Sequence, residues 1–250
     1  MSDLYVDLVE RAVAGRLFEI DEPARRRARF WQRLRHPYLT RNGVTFTFPP
    51  NVHTMIGPAR LQNLRHLVET ALRDRIPGHF IETGVWRGGA CILMRAILKA
   101  QAITDRKVYC ADSFAGLPRS DGRYRQDRHD RLYKFSELAV SVDEVRKNFD
   151  VYGLLDEQVV FLVGRFRDTL PTLTDERFAV IRLDGDMYES TMDALTHLYP
   201  RLSPGGFAII DDYGPIQGCR TAVHDYLNAH KLSPEIVPVD VACVWWRKAP

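Results

Sequence analysis

Residues 178–212 read FAVIRLDGDMYESTMDALTHLYPRLSPGGFAIIDD, and this stretch decides the fold. Phe178–Leu183 is an apolar run that stops at Asp184-Gly185-Asp186. Phe207–Ile210 is a second apolar run, and it stops at Asp211-Asp212. Between them Thr191–Tyr199 carries apolar residues at helical spacing. Strand, helix and strand in that order predict parallel neighbours joined by a crossover. Such strands end on one sheet edge, so the four acids share the crevice in which ligands bind in open α/β sheets. Clustered carboxylates repel one another. A hard divalent cation offsets that repulsion, and an oxygen-only ligand set suits Mg²⁺. Asp184, Asp211 and Asp212 are the expected ligands, leaving Asp186 as a general base for a hydroxyl.

Outward from this stretch the same alternation continues. Leu61–Arg75 predicts a helix ended by Pro77-Gly78. His79–Glu82 predicts a strand, Gly84–Gly89 a turn and Ala90–Ala100 a helix. Lys107–Ala111 and Gln158–Val163 predict two more strands. Ser141-Val142-Asp143-Glu144 has the capping-box spacing, which predicts a helix over Val142–Tyr152. Arg220–Ala229 reads as a helix, and Glu235–Val239 with Ala242–Trp246 as a closing antiparallel pair. The polar stretch 117–135 breaks the rhythm and reads as a functional flap or a partly disordered loop.

The other strand ends also carry suitable groups. The turn Glu82-Thr83-Gly84-Val85-Trp86-Arg87-Gly88-Gly89 joins a strand to a helix start, where glycine admits a close ligand and free N–H groups face it. It is not a G-x-G-x-x-G fingerprint, which disfavours a pyrophosphate cofactor. Glu82 at that strand end points to a ligand with positive groups, and S-adenosylmethionine suits. Asp112, with Ser113 beside it, is placed for ribose hydroxyls. Gly164 and Arg165 close the third strand, where an adenine edge would lie.

Composition bounds the rest. The chain has 250 residues, enough for one large domain, and a formal net charge of +3 gives no prior for nucleic acid. Arg25, Arg26, Arg27, Arg29, Arg33 and Arg35 cluster, which reads as a solvated helix face or a salt-bridging lid. Cys91, Cys110, Cys219 and Cys243 show neither zinc nor redox spacing. No basic-then-apolar segment opens the chain and no run reaches membrane-spanning length, so the expectation is a cytoplasmic protein that does not enter a membrane. Residues 1–60 do not follow the alternation and read as an N-terminal lid or extension, with 61–250 as one compact unit. That extension and the aromatic content leave room for a homo-oligomer. Among the histidines, only His53, just before Thr54-Met55, invites a functional test.

Several stretches together resemble the macrocin O-methyltransferase family (TylF/MycF/NovP type). They are HTMIG (53–57), IETGVWRGGACILMRAILKA (81–100), ADSFAGLP (111–118), ELAVSVDEVRKNF (137–149), the 182–214 stretch and GCRTAVHDY (218–226). The resemblance implies a class I S-adenosylmethionine-dependent methyltransferase fold, Rossmann-like, with a seven-stranded sheet and one antiparallel strand. It implies a Mg²⁺-dependent O-methyltransferase acting on a sugar of a natural-product glycoside in antibiotic biosynthesis. It assigns metal binding to Asp184, Asp211 and Asp212 and the base to Asp186. Cofactor contacts fall to Thr54, Met55, Glu82, Thr83, Gly84, Val85, Trp86, Asp112, Ser113, Ser141 and Asp184, with Gly164 and Arg165 beside adenine. Many members of the family carry tryptophan at the position of Arg165. The residues before HTMIG form a lid that selects the substrate.

Three rival readings remain. A catechol-type O-methyltransferase would place a lysine base where this chain has Met187. A glycosyltransferase would use Asp184-x-Asp186 for a nucleotide sugar, but then the Glu82–Gly89 turn and Asp112 lack a role. A non-catalytic scaffold would tolerate missing acids, and none is missing.

Overall fold

The computed structural model describes residues 2–17, 40–41, 44–45 and 52–249. A short antiparallel pair, β1 (Thr40–Arg41) and β2 (Val44–Thr45), stands apart from the main sheet. The main strands are β3 (His79–Thr83), β4 (Val108–Asp112), β5 (Val159–Val163), β6 (Phe178–Leu183), β7 (Leu202–Ile210), β8 (Val237–Pro238) and β9 (Val244–Arg247). They form one seven-stranded sheet in the order β5-β4-β3-β6-β7-β9-β8. Strands β3 to β7 are mutually parallel, and β9 is antiparallel to both its neighbours. This is the expected architecture, with its single antiparallel strand.

Alternating side chains send apolar groups to both faces, so each face needs a cover. Phe80 and Cys110 join the core beneath α1 (Ser2–Val13), α2 (Pro58–Arg73), α3 (Gly89–Ala100) and α4 (Val142–Val151). Ile81 and Ala111 join the opposite core beneath α5 (Phe166–Thr169), α6 (Tyr188–Leu198) and α7 (Gln217–Ala229). All four cysteines are free and buried, as small apolar side chains would be.

Two boundaries differ from the sequence pattern in an informative way. Strand β7 begins at Leu202, not Phe207: Leu202 pairs with Phe178, and the register then slips before Val180 meets Phe207. Gly205, at φ 78°, takes up the slip. Helix α6 begins at Tyr188, not Thr191, because a side chain from another segment satisfies its first amides.

The N-terminal extension divides. Val6, Val9 and Val13 on α1 are buried in the core beside α3, each burial contributing roughly 1.5–2 kcal/mol. Arg65 on α2 pairs with Asp7 of α1 and with Glu69, so α1 belongs to the body of the domain. The Arg25–Arg35 cluster lies outside the described residues. Among the described residues no helix is long and apolar enough to cross a membrane.

Candidate active site

Strand order reverses between β3 and β6, and a cleft opens there, at the carboxyl edge of the sheet. It encloses about 840 Å³, its open mouth included. Three non-glycine residues at positive φ follow β3, β4 and β6: Trp86 (47°), Phe114 (52°) and Asp186 (58°). The other three described, Arg75, Ala102 and Lys231, sit just past helix ends, where this conformation is ordinary. Backbone strain away from helix ends is thus gathered at the cleft.

One half of the site is built from backbone. Gly84 has φ 85°, and an added Cβ would lie 1.6 Å from the Asp184 carbonyl oxygen, so the turns after β3 and β6 touch directly. Gly89 opens α3, with its amide donating to the His53 carbonyl at 2.8 Å. A Cβ there would sit 2.5 Å from that same oxygen. Asp112 organises this half. Its Oδ2 accepts the amides of Val85 (2.7 Å) and Trp86 (3.4 Å), and its Oδ1 accepts that of Phe114 (2.8 Å). Burial raises its pKa against the pull of these amides. Ser113 donates to the Gly116 carbonyl at 2.7 Å. The close-packed, glycine-lined cradle and its acid fit a nucleoside bearing a ribose.

The other half is built from charge. Asp184, Asp211 and Asp212 each place a carboxylate oxygen within 4.8 Å of the others. Arg182, 2% exposed within β6, binds the cluster from below. Its Nη1 donates to Glu82 and to Asp184 Oδ2 (2.7 Å), and its Nη2 to Asp211 Oδ1 (2.5 Å). Arg60 on α2 donates to Asp211 Oδ2 (2.6 Å) and to Asp240 (2.8 Å). Asp212 forms no ion pair with a basic side chain among the described residues. Its pKa is pushed well above the carboxylate range by burial and by Asp186, Asp184 and Asp211. Asp184 is likewise raised, by burial and by Asp211. The arginines reach Asp184 and both oxygens of Asp211 but not Asp212, and this cluster of mutually repelling carboxylates fits a divalent cation. The Asp186 amide donates to Asp212 Oδ2 at 3.2 Å, which ties the turn after β6 to the acids after β7.

Of the residues singled out from the sequence, Met55, Gly84, Trp86, Asp112, Ser113, Gly164, Arg165, Asp184 and Asp186 line the cleft. Asp211 and Asp212 lie behind that wall, each 4% exposed. Five others do not line it. Thr54 is buried, its Oγ1 accepting the Ile56 amide at 3.3 Å. Val85 packs in the core and contributes only its amide. Thr83 is fully buried, its hydroxyl without a partner among the described residues. Ser141 caps α4 by accepting the Glu144 amide at 3.2 Å, the role its capping-box spacing indicates. Glu82 already has a positive partner within the chain, Arg182, and Cys91 donates to it at 2.9 Å. Burial pushes Glu82 up to about 7. His53 packs against Tyr152, its Nδ1 2.7 Å from the phenol oxygen, and takes no place in the cleft.

The sequence reading passed over Arg182, Arg60 and Asp127. Arg182 did leave a signal: a charge inside an otherwise apolar parallel strand needs a buried partner. Arg60 and Asp127 left none, since each reads as an ordinary surface residue.

Comparison with known proteins agrees with this geometry. The family model for macrocin-O-methyltransferases (TylF) matches residues 7–248. The chain is 55% identical over 206 residues to the mycinamicin III 3''-O-methyltransferase of Micromonospora griseorubida, covering 81% of each chain. It is 48% identical over 247 residues to a Streptomyces olivaceus enzyme, 8-demethyl-8-(2,3-dimethoxy-alpha-L-rhamnosyl)-tetracenomycin-C 4'-O-methyltransferase, covering 98% of this chain and 92% of that one. The solved structure of the O-methyltransferase NovP superimposes with a TM-score of 0.87 at 43% identity over the full length of both chains. The chain is therefore an O-methyltransferase with the class I methyltransferase fold, and it belongs to the macrocin-O-methyltransferase (TylF) family.

Proposed function

We propose that this O-methyltransferase uses S-adenosylmethionine and Mg²⁺ to methylate a sugar hydroxyl on a natural-product glycoside, within antibiotic or related secondary metabolism. One observation carries the reading: Asp211 and Asp212, just behind the cleft wall, converge with Asp184, which lines it beside Asp186, and the other end of the same cleft is the Gly84 turn and Asp112. A relative named for the 4' position of a rhamnosyl-tetracenomycin favours a sugar over a phenol. Cleft-lining Arg167, Glu189 and Asp193 add polar partners suited to hydroxyl groups.

Met55, Trp86, Asp112, Ser113, Gly164 and Arg165 would hold the nucleoside, and Asp184, Asp211 and Asp212 the cation. When bound, the two groups supply an electrophilic methyl and a Lewis acid that lowers the pKa of an acceptor hydroxyl. The chain's own task is alignment and proton transfer. Arg182 and Arg60 fix the orientation of Asp211, so the ligand set is formed before any cation arrives. Each carboxylate oxygen held by an arginine keeps a second lone pair for the cation. Asp186 Oδ takes the acceptor proton from within the cleft wall, where the fixed turn limits its motion.

The test is a panel of p-nitrophenyl deoxyglycosides with catechol as a control, products read by mass spectrometry, with and without EDTA. Methylation of a sugar that EDTA abolishes and Mg²⁺ restores is the expected result. Methylation of catechol alone overturns the sugar assignment, and turnover indifferent to EDTA overturns the metal. Asp186→Asn should lower turnover about 10²–10⁴-fold while S-adenosylhomocysteine affinity by calorimetry stays within about twofold.

A further inference from the structure

Asp127 belongs to the polar 117–135 stretch, yet it is only 3% exposed. Its carboxylate reaches across to the start of α6. Oδ1 accepts the Tyr188 amide and Oδ2 the Glu189 amide, each at 2.8 Å. Every helix start leaves such amides without partners in its own helix. Met187, at the capping position, supplies no side chain for them. A carboxylate there also meets the positive end of the helix dipole.

The fit is close on every side. Gly218, at the start of α7, leaves the space: an added Cβ would sit 3.4 Å from Asp127 Oδ1 and 3.2 Å from the Tyr188 nitrogen. Neighbouring contacts seat the stretch. Arg123 donates to Asp193 on α6 at 2.7 Å. The Tyr124 ring lies 4.9 Å from that of Tyr188. Arg167 donates to Asp121 at 2.7 Å. The same stretch puts Leu117 and Pro118 into the cleft wall.

The capped amides follow Asp186 almost at once. Asp186 sits at φ 58°, and the Met187 amide folds back onto the Gly185 carbonyl at 2.6 Å. A non-glycine residue keeps this conformation only where its surroundings over-determine it. Asp212, accepting the Asp186 amide, is one constraint. The anchored start of α6 is the other.

We propose that Asp127 is a positioning residue for the reaction: the carboxylate that seats the 117–135 stretch also aims Asp186. Covering the cleft and setting the base are then one event. The inference rests on Asp186 acting as the base, as proposed above.

The experiment uses the full chain carrying Asp127→Ala or Asp127→Asn, with Asp186→Asn alongside. It reads kcat and KM on the p-nitrophenyl glycoside that the panel shows is methylated fastest, and S-adenosylhomocysteine affinity by calorimetry. NMR reads the exchange of the Asp186 and Met187 amides, which needs no acceptor. In Asp127→Ala, kcat falls about 10–100-fold with KM and S-adenosylhomocysteine affinity within about twofold. The two amides exchange about tenfold faster. Asparagine keeps one acceptor oxygen, so Asp127→Asn lies between Ala and wild type. If the Ala variant does not fold, the Asn variant decides by the same measures. Wild-type kcat in a folded variant, unchanged exchange of both amides, or a loss of cofactor affinity in proportion to kcat overturns the inference. Full activity in Asp186→Asn instead overturns the assignment of the base, whatever Asp127 does.

Discussion

The two halves of the cleft meet the same requirement by opposite means. Beyond β3 and β4, one carboxylate, Asp112, is surrounded by backbone amides, and glycines let main chain touch main chain. Beyond β6 and β7, several carboxylates crowd together and two arginines, Arg182 and Arg60, hold them. The first half is rigid because there is no room for anything else. The second is held by charge. On the proposed function, shape would govern the cofactor end and electrostatics the reacting end.

Breaking the shape should cost the most. Gly84→Ala sets a methyl 1.6 Å from the Asp184 oxygen at φ 85°. It should destabilise the fold by about 5 kcal/mol or more, read by denaturant titration. A variant with near-wild-type stability would show that the two turns can separate. Breaking the charge scaffold comes next. Arg182→Met leaves Glu82, Asp184 and Asp211 without their shared cation and should cost about 3 kcal/mol. If the charge half works as described, added Mg²⁺ should restore more stability to this variant than to wild type, as a shift in melting temperature. Equal shifts would detach Arg182 from the metal site.

Asp112→Ala sharpens the comparison from the other side. It leaves the Val85 and Phe114 amides unsatisfied, costing about 1–3 kcal/mol, and weakens S-adenosylhomocysteine binding while the Mg²⁺ titration holds. A parallel loss of Mg²⁺ affinity would mean the halves are not separable. The smallest effect lies outside both. His53, His79 and His197 are each held below the ordinary histidine pKa, chiefly by burial. As pH falls the unfolded chain takes up these protons first, so stability should decline below about pH 6.5. Replacing His53 with Gln should flatten that slope, and an unchanged slope would assign it elsewhere.

The same division explains what could be read in advance. Strands and helices were legible because periodicity is local: FAVIRL fills a buried strand and FAII the buried end of another. The acids after them were legible because a carboxylate at the end of a buried strand needs a reason. The partner of Glu82, Arg182, was not legible, because it lies 100 residues away in sequence and beside it only in register. Ser141 caps α4, the role its capping-box spacing indicates.

The sequence by itself determined the sheet, its carboxyl edge and which chemical groups reach it, because hydrophobic periodicity and turn chemistry act over a few residues. Only the tertiary structure decided which charges neutralise which. Arg60 on Asp211, Arg182 beneath the acids and Asp127 on α6 all join segments far apart in the chain. Burial makes such pairings obligatory, since a buried charge or amide must find a partner, but nothing local says which one.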